Sequence, residues 1–501
     1  MNLAADGERP TRIGADGISR RRVLAALGGG LATAVLPRFP AFAQTPPRIA
    51  IVGGGLAGLS ALDTLAARGV PATLYEARAA AGGRTRSVRG VFAPDFAFDE
   101  GAQLINTDQA DMLRLVRRFG LRLVDRRGFG PFHEIQIGRD GREVREAGLA
   151  RALRGIAARI TADSDRLDAD YEAVAREIDA LSVRDYLDRH GLRPGEARDA
   201  LEAGIRTEYG AEPSEASALE LLFNLPTVDG VRLTRISLSD ERYLVSGGTA
   251  QVAAGLAREH AGSIRLNKRL TGLEIAGDSV RLAFADGEEV RADRAILALP
   301  ASLLRGLHIE GPLPPLWRAL IDEVRLGRNE KVLVGYDRPA WRDRMGFGGA
   351  LWSAGDFSAA WDAVSLAPAS GPGALCYFLG GDQVDRAREA TMAELAERFS
   401  ASARRVLPGL PAHNGIHRRT RWCDDPLTQG AYVNYGPGQL SRFASLMSVE
   451  EEGEARASGA GPVQFAGEWL SDAFPGYMNG AVQTGRLAAD AALAPERAAA
   501  A

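Results

Sequence analysis

Apolar residues along this chain of 501 residues fall into two kinds of run. Short unbroken blocks suit strands buried on both faces, and blocks spaced by three and four suit one-sided helices. Residues 48–52 form the first unbroken block. A helix-like stretch follows, then a second apolar block ending at Tyr75, and then an acid, Glu76. Residues 111–240 are mostly helical in period. Met112, Leu115, Val116 and Phe119 share one face, as do Val174, Ile178 and Leu181, and then Val183, Tyr186 and Leu187. Residues 243–256 read as a return, with Ser246-Gly247-Gly248-Thr249 opening a helix. Residues 269–275, 280–284 and 289–299 predict three strands, with Asp286-Gly287 as a hairpin turn. The wholly apolar block before Pro300 predicts a central strand. A second excursion, 303–421, mixes strands at 332–336 and 375–379 with a helix over 391–406. Its glycine- and proline-rich stretches near Gly346 and over 367–373 read as loops. Residues 450–461 are polar and predict a mobile surface loop. Residues 464–469 run from a strand into a glycine-acid turn, 474–480 form a tight turn, and 481–492 predict a small-residue helix.

The glycines turn the first of these patterns into chemistry. Gly53, Gly55 and Gly58 follow the first strand in G-x-G-x-x-G spacing, and Glu76 ends the second strand. In a β-α-β unit these glycines permit a tight turn and let backbone N–H groups approach a pyrophosphate at a helix N-terminus. The acid can accept the ribose hydroxyls of an adenosine. Gly82-Gly83-Arg84 adds a second glycine-arginine turn able to clamp the same pyrophosphate, which points to FAD rather than NAD. The nucleotide-type motif near the start and the glycine-acid turn near the end imply one domain built from distant segments. The fold class expected is α/β. A Rossmann-like, glutathione reductase-type FAD-binding domain is expected from 44–110, 244–302 and 422–495. A discontinuous mixed-sheet plus helical substrate domain is expected from 111–243 and 303–421.

Composition narrows the classes. The net charge of −3 supplies no basic field for nucleic acid. The two cysteines, Cys376 and Cys423, form no C-x-x-C motif and are expected as buried free thiols, a bridge between them remaining open. Only Lys268 and Lys331 among the 61 basic residues are lysine. Lys268 sits in a polar turn beside Arg269 and reads as incidental. Lys331 is a candidate for work that arginine cannot do. There is no Ser-His-Asp elbow and no metal-binding cluster, and His308, His413 and His417 read as surface or structural.

Residues 1–43 read as an address. Ser19-Arg20-Arg21-Arg22-Val23-Leu24 resembles a twin-arginine export signal, the apolar run to Leu36 is too short to span a membrane, and Ala41-Phe42-Ala43 fits an A-x-A cleavage site. The expectation is a folded protein exported to a bacterial periplasm, starting at Gln44, with no membrane anchor in the mature chain.

Together these residues resemble the flavin-containing amine oxidase family, which includes monoamine oxidases, polyamine oxidases and L-amino acid oxidases. The likeness is densest at 48–106, 324–341, 422–438 and 464–490. It implies that Gly53, Gly55, Gly58, Glu76, Arg78, Gly83 and Arg84 hold the ADP half of FAD. It places Gly101, Ala102 and Gln103 against the flavin middle and Leu270 near the adenine. Glu468, after Gly467, would serve the ribityl chain or pyrophosphate. Met478, at a helix N-terminus, would present its N–H to the flavin pyrimidine edge, where a helix dipole favours negative charge. The segment from Trp422 to Tyr432 resembles the one in which monoamine oxidases carry a cysteine bonded to the flavin. Here that position is Ala431, so the FAD is expected to be non-covalent, with Trp422 in the cofactor wall. Tyr432 and Tyr477 would wall an aromatic cage for the amine, and Lys331 would hold a water against flavin N5.

The resemblance implies oxidation of a primary amine or L-amino acid to an imine by hydride transfer to flavin N5. Oxygen, yielding hydrogen peroxide, or a periplasmic electron carrier would be the acceptor. Arg86 occupies a place where L-amino acid oxidases clamp a carboxylate, although polyamine oxidases also carry arginine there. The helical insert that includes 208–225 would line the entrance. A flavin desaturase acting on C–C bonds, a catalytically silent flavoprotein and a homodimeric state remain open.

Overall fold

Ile49–Val52 pairs in parallel with Ala72–Tyr75 on one side and with Arg294–Leu297 on the other. Ile264–Arg265 extends this sheet beyond Ala72–Tyr75, and Val463–Phe465 extends it beyond Arg294–Leu297, both in parallel. Ser458–Ala460 closes the far edge antiparallel. The computed structural model describes residues 46–130, 132–363, 371–451 and 454–494. The export signal expected over 1–43 lies outside these residues.

The strands are unbroken apolar blocks because both faces of the sheet are covered. Ile49, Ile51 and Ile296 pack with Leu59, Leu62 and Val482, from helices Leu56–Ala67 and Met478–Leu493. Ala50, Val52 and Leu297 point the other way and join Leu273, Leu282 and Trp317. The two helices touch closely. A Cβ on Gly485 would lie 2.1 Å from the Ala57 carbonyl oxygen, and the Ser60 hydroxyl donates to the Val482 carbonyl at 2.7 Å. This approach explains the small residues of the last helix.

Two expectations need correction. The block 289–299 is not one strand. Glu289–Ala292 belongs to an antiparallel sheet with Ser279–Phe284 and Leu270–Ala276, whereas Arg294–Leu297 is central in the parallel sheet. The chain changes sheets at Asp293, whose carboxylate accepts from Arg48 N at 2.8 Å and Arg48 Nη2 at 2.7 Å. Nor is 450–461 a loop throughout. Val449–Glu451 and Glu454–Arg456 form an antiparallel pair, and Ser458–Ala460 is the edge strand already described. Its polar residues are held rather than solvated: Glu450 accepts from Arg486 Nη1 and Nη2 at 2.7 and 2.6 Å.

A second sheet runs in the order His417–Arg419, Asn329–Tyr336, Gly373–Gly380, Ala359–Asp362, Ala350–Ser353, Glu134–Ile137, Glu143–Val144. Helix Met392–Arg404 is fixed by a capping box between Thr391 and Glu394. Between Glu146 and Asn224 the chain forms five helices, Glu196–Tyr209 among them. Helix Glu196–Tyr209 lies against the second sheet, where its Arg206 carbonyl accepts from Asn329 Nδ2 at 2.9 Å. Cys376 and Cys423 are both free.

Candidate active site

A cavity of about 1970 Å3 joins the C-terminal ends of the parallel strands to the space between the helices and the second sheet. Ordinary small-ligand pockets enclose about 300–1,000 Å3, so this one has room for a dinucleotide and a further molecule. Gly53, Gly55, Glu76, Arg78, Gly83, Arg84, Leu270, Gly467 and Glu468 line one end.

Each glycine of the turn has a separate reason to be glycine. Gly53 has φ +104°, and a Cβ there would lie 2.4 Å from the Ala298 carbonyl oxygen. A Cβ on Gly58 would lie 1.9 Å from the Gly53 carbonyl oxygen, so this residue sits under the turn and does not line the cavity. A Cβ on Gly55 would meet nothing within 4 Å. Gly55 is the N-cap of helix Leu56–Ala67, and no side chain caps that helix. Its first N–H groups therefore lack side-chain partners at an open cavity wall, where an anionic phosphate would satisfy them. Glu76 lies at the same end with its carboxylate accepting from Gly54 N at 2.6 Å and Arg78 N at 2.7 Å. The residues present fit a dinucleotide.

The middle of the cavity is built from both ends of the chain. Arg84 Nη1 donates to Glu468 Oε1 at 2.7 Å, and Glu468 Oε2 accepts from Gly476 N at 3.0 Å. Gly101, Ala102, Gln103 and Trp422 line this stretch. Trp422 Nε1 donates to the Glu100 carbonyl at 3.1 Å. Met478 is the first residue of its helix, after Tyr477 as an N-cap without a side-chain bond. Lys331 is buried, and its ammonium donates to the carbonyls of Asp99 and Gly101, each at 2.8 Å, and to Gln103 Oε1 at 3.2 Å. Burial lowers its pKa. With three donors and three acceptors, Lys331 would have to exchange a partner to hold a water.

Tyr432 and Tyr477 face the other end. The Tyr432 hydroxyl donates to the Thr207 carbonyl at 2.5 Å. The Tyr477 hydroxyl donates to Glu208 Oε2 at 3.1 Å and accepts from Ser239 Oγ at 3.0 Å. Burial raises the pKa of both phenols, which therefore stay neutral.

Arg86 does not join these residues. It is absent from the cavity wall among the described residues. Its Nε pairs with Glu100 at 2.7 Å, and its guanidinium lies 4.4 Å from the Trp422 ring centroid. The guanidinium expected to meet substrate is thus engaged by a buried acid, Glu100, and by the Trp422 ring.

The helical insert expected to line the entrance reaches the cavity wall, but no role for its acid, and none of the partners around it, is legible in the pattern of the sequence. Glu208 and Tyr209 reach the cavity from helix Glu196–Tyr209. Glu241 is held at φ 41°, with its N–H donating to Asn106 Oδ1 at 3.0 Å and its carbonyl accepting from Arg126 Nη1 at 3.0 Å. Burial pushes both carboxyls up: Glu208 to about 8, with Glu241 adding to the rise, and Glu241 upward against the opposing Arg126 guanidinium, with Glu134 and Asp240 adding to its rise. Arg235, Glu134 and Trp352 complete this end. Nothing in their spacing separates them from a solvated face.

The sequence profile of the family described as "Flavin containing amine oxidoreductase" matches residues 56–493. A flavin-containing amine oxidase of Danio rerio is 25% identical over 456 residues, covering 88% of this chain and 84% of its own. A putative flavin-containing monoamine oxidase of Mycobacterium tuberculosis is 26% identical over 469 residues, covering 88% and 95%. Among solved structures, putrescine oxidase bound to putrescine superposes with a TM-score of 0.73 at 22% identity, covering 89% of this chain and 99% of that one. Cyclohexylamine oxidase from Brevibacterium oxydans gives 0.72 at 22%, covering 90% and 99%. No helix among the described residues is long and apolar enough to cross a membrane.

Proposed function

Because the chain belongs to the flavin-containing amine oxidoreductases, we propose that it holds FAD in a Rossmann-like, glutathione reductase-type domain and oxidises an amine seated between Tyr432 and Tyr477. The domain is assembled from 44–110, 244–302 and 422–495, with 111–243 and 303–421 supplying the substrate side. Bound FAD supplies a two-electron acceptor for the carbon that bears the amine.

The chain's own groups do the rest. Gly55 and the helix behind it receive the pyrophosphate, and Glu76 receives the ribose. Met478, first in its helix, would offer its N–H and helix dipole to the negative charge that a bound flavin develops on reduction. The tyrosines present ring faces that tolerate an ammonium or a lone pair, and their neutral hydroxyls, tied to Thr207 and Glu208, fix the rings. The buried walls exclude water from the reacting carbon. The amine gives its carbon-bound hydrogen with its electron pair, and the nitrogen lone pair closes the imine. Lys331 steadies the turn at Asp99–Gly101 through its bonds to both carbonyls and would stand near the face at which oxygen, the acceptor in this reading, would arrive. The turn before Tyr432 carries Ala431, which has no nucleophile, so the FAD is dissociable.

One observation carries the reading: a dinucleotide-binding turn and a pair of tyrosines open on one cavity. The relatives that act on amines support it. Arg86, turned to Glu100, favours a simple amine over an L-amino acid. The arginine-rich leader supports export to the periplasm.

The test is an anaerobic screen of primary amines, diamines and L-amino acids against the purified holoenzyme. Loss of the oxidised flavin band with an amine is expected, and a flavin that no amine bleaches would refute the reading. Acid precipitation should free the FAD into the supernatant, whereas colour retained in the pellet contradicts the reading of Ala431.

A further inference from the structure

Among the described residues no cation pairs with the Glu208 carboxylate, which lines the substrate end of the cavity. Glu208 lies on the last turn of helix Glu196–Tyr209, and its hydrogen bond comes from the neutral Tyr477 hydroxyl at 3.1 Å. The charged groups that act on it are acids, Glu241 first and then Glu220, and the Tyr432 phenol stands beside it. Other acids along the same wall have cations. Glu134 pairs with Arg235 at 2.7 Å, Glu241 has Arg126 at 3.7 Å, and Glu468 has Arg84 at 2.7 Å. A buried acid beside a second acid keeps its proton until a cation arrives.

The position of Glu208 selects what that cation is. In the amine-oxidising reading the amine lies between the faces of Tyr432 and Tyr477. Glu208 is bonded to the hydroxyl end of Tyr477, not to its ring face, and lines the same cavity as both tyrosines. Resting on the amine-oxidising reading, we propose that Glu208, with Glu241 behind it, receives a second ammonium group, so that the preferred substrate is a diamine. One nitrogen enters the cage as the neutral amine, and the other remains protonated on the carboxylate.

The proton balance follows. The empty site holds a proton on Glu208, whose pKa burial raises to about 8. The nitrogen that enters the cage sheds one proton to solvent for either amine, and near neutral pH the second ammonium stabilises the carboxylate form, so the diamine releases the Glu208 proton in addition. A monoamine of the same length leaves the acid protonated and gains nothing from it.

The probes are 1,4-diaminobutane and 1-aminobutane, each mixed anaerobically with the holoenzyme and each measured in steady state. The wild type should favour the diamine at least about tenfold in kcat/KM, since a polar site left unpartnered discriminates strongly. Glu208→Gln, with its flavin content checked, should cut that preference about tenfold, chiefly through KM. It should also remove the rise in diamine KM below pH 8. Calorimetry in two buffers of different ionisation enthalpy should show about one proton more released by the diamine than by 1-aminobutane in the wild type. Glu241→Gln, which leaves Tyr477 its partner, should weaken the diamine preference in the same direction. Equal reduction by both amines, equal losses for both in Glu208→Gln, or equal proton release by the two amines overturns the proposal and leaves amine oxidation standing. A flavin that no amine reduces overturns both.

Discussion

The Tyr477 hydroxyl hangs from Glu208 at 3.1 Å, and the Tyr432 hydroxyl hangs from the carbonyl of the preceding residue, Thr207. Both cage rings are thus rooted in the C-terminal quarter of the chain and tied to one helical turn far upstream. Their spacing is set by how helix Glu196–Tyr209 docks, not by either tyrosine's own segment.

Removing a ring should therefore cost chemistry before cofactor. Tyr477→Ala is expected to slow anaerobic flavin reduction about tenfold or more, the scale of a lost positioning contact, while FAD stays bound. Tyr477→Phe keeps the ring face and loses both hydroxyl bonds, so it should fall between. Stopped-flow reduction at saturating amine decides this, and wild-type rates in Tyr477→Ala would remove Tyr477 from the cage.

Glu208 should also write itself into stability. Its folded pKa is raised above the ordinary carboxyl value by burial and then by Glu241. Folding therefore favours the protonated form, and this contribution is full below the ordinary carboxyl pKa and lost as pH rises through about 8. The melting temperature of flavin-free protein should fall across that window, and less so in Glu208→Gln. Parallel curves for the two proteins would contradict the assignment.

Lys331 spends its ammonium on two carbonyls and an amide oxygen. Lys331→Met leaves buried acceptors unpaired, a loss of about 1–3 kcal/mol by the usual cost of such groups. Flavin reoxidation by oxygen is expected to slow more than reduction by amine, because the charge lies on the cofactor side of the wall. Equal slowing of both half-reactions would leave Lys331 a structural brace alone.

Two of the three reasons for glycine in the turn, those at Gly58 and Gly55, can be separated by alanine. Gly58→Ala puts a methyl 1.9 Å from a backbone oxygen, and the flavin-free protein should lose several degrees of melting temperature. Gly55→Ala meets nothing within 4 Å, so the flavin-free melt should hold while FAD affinity drops about tenfold, because that space is where a pyrophosphate approaches. Thermal melts and FAD titrations of both variants make the comparison.

Arg86→Ala should change KM for L-amino acids and amines alike by less than about threefold, since the guanidinium answers Glu100 and the Trp422 ring and sits at the exposed end of the pair. A tenfold loss confined to amino acids would restore a carboxylate clamp.

Much of this protein is written in short spacings. The Gly53–Gly58 turn, the acid at Glu76, the Thr391 capping box and the unbroken blocks at 49–52 and 294–297 each follow from rules that act within a few residues: allowed backbone angles, helix-end valences and the period of burial. The same rules misread 289–299 and 450–461. An apolar run does not say that Arg48 will pull Asp293 into a turn, nor a polar run that Arg486 will pin Glu450 to a helix. Arg86 has the right neighbours in sequence and the wrong direction in space, because Glu100 claims it. The same holds for Glu208 and Tyr477, which are 269 residues apart. Local chemistry determined that a nucleotide turn and two tyrosines exist; the docking of remote segments alone decided that an acid without a cation stands beside them, because electrostatic partnership depends on distance through the fold and not along the chain.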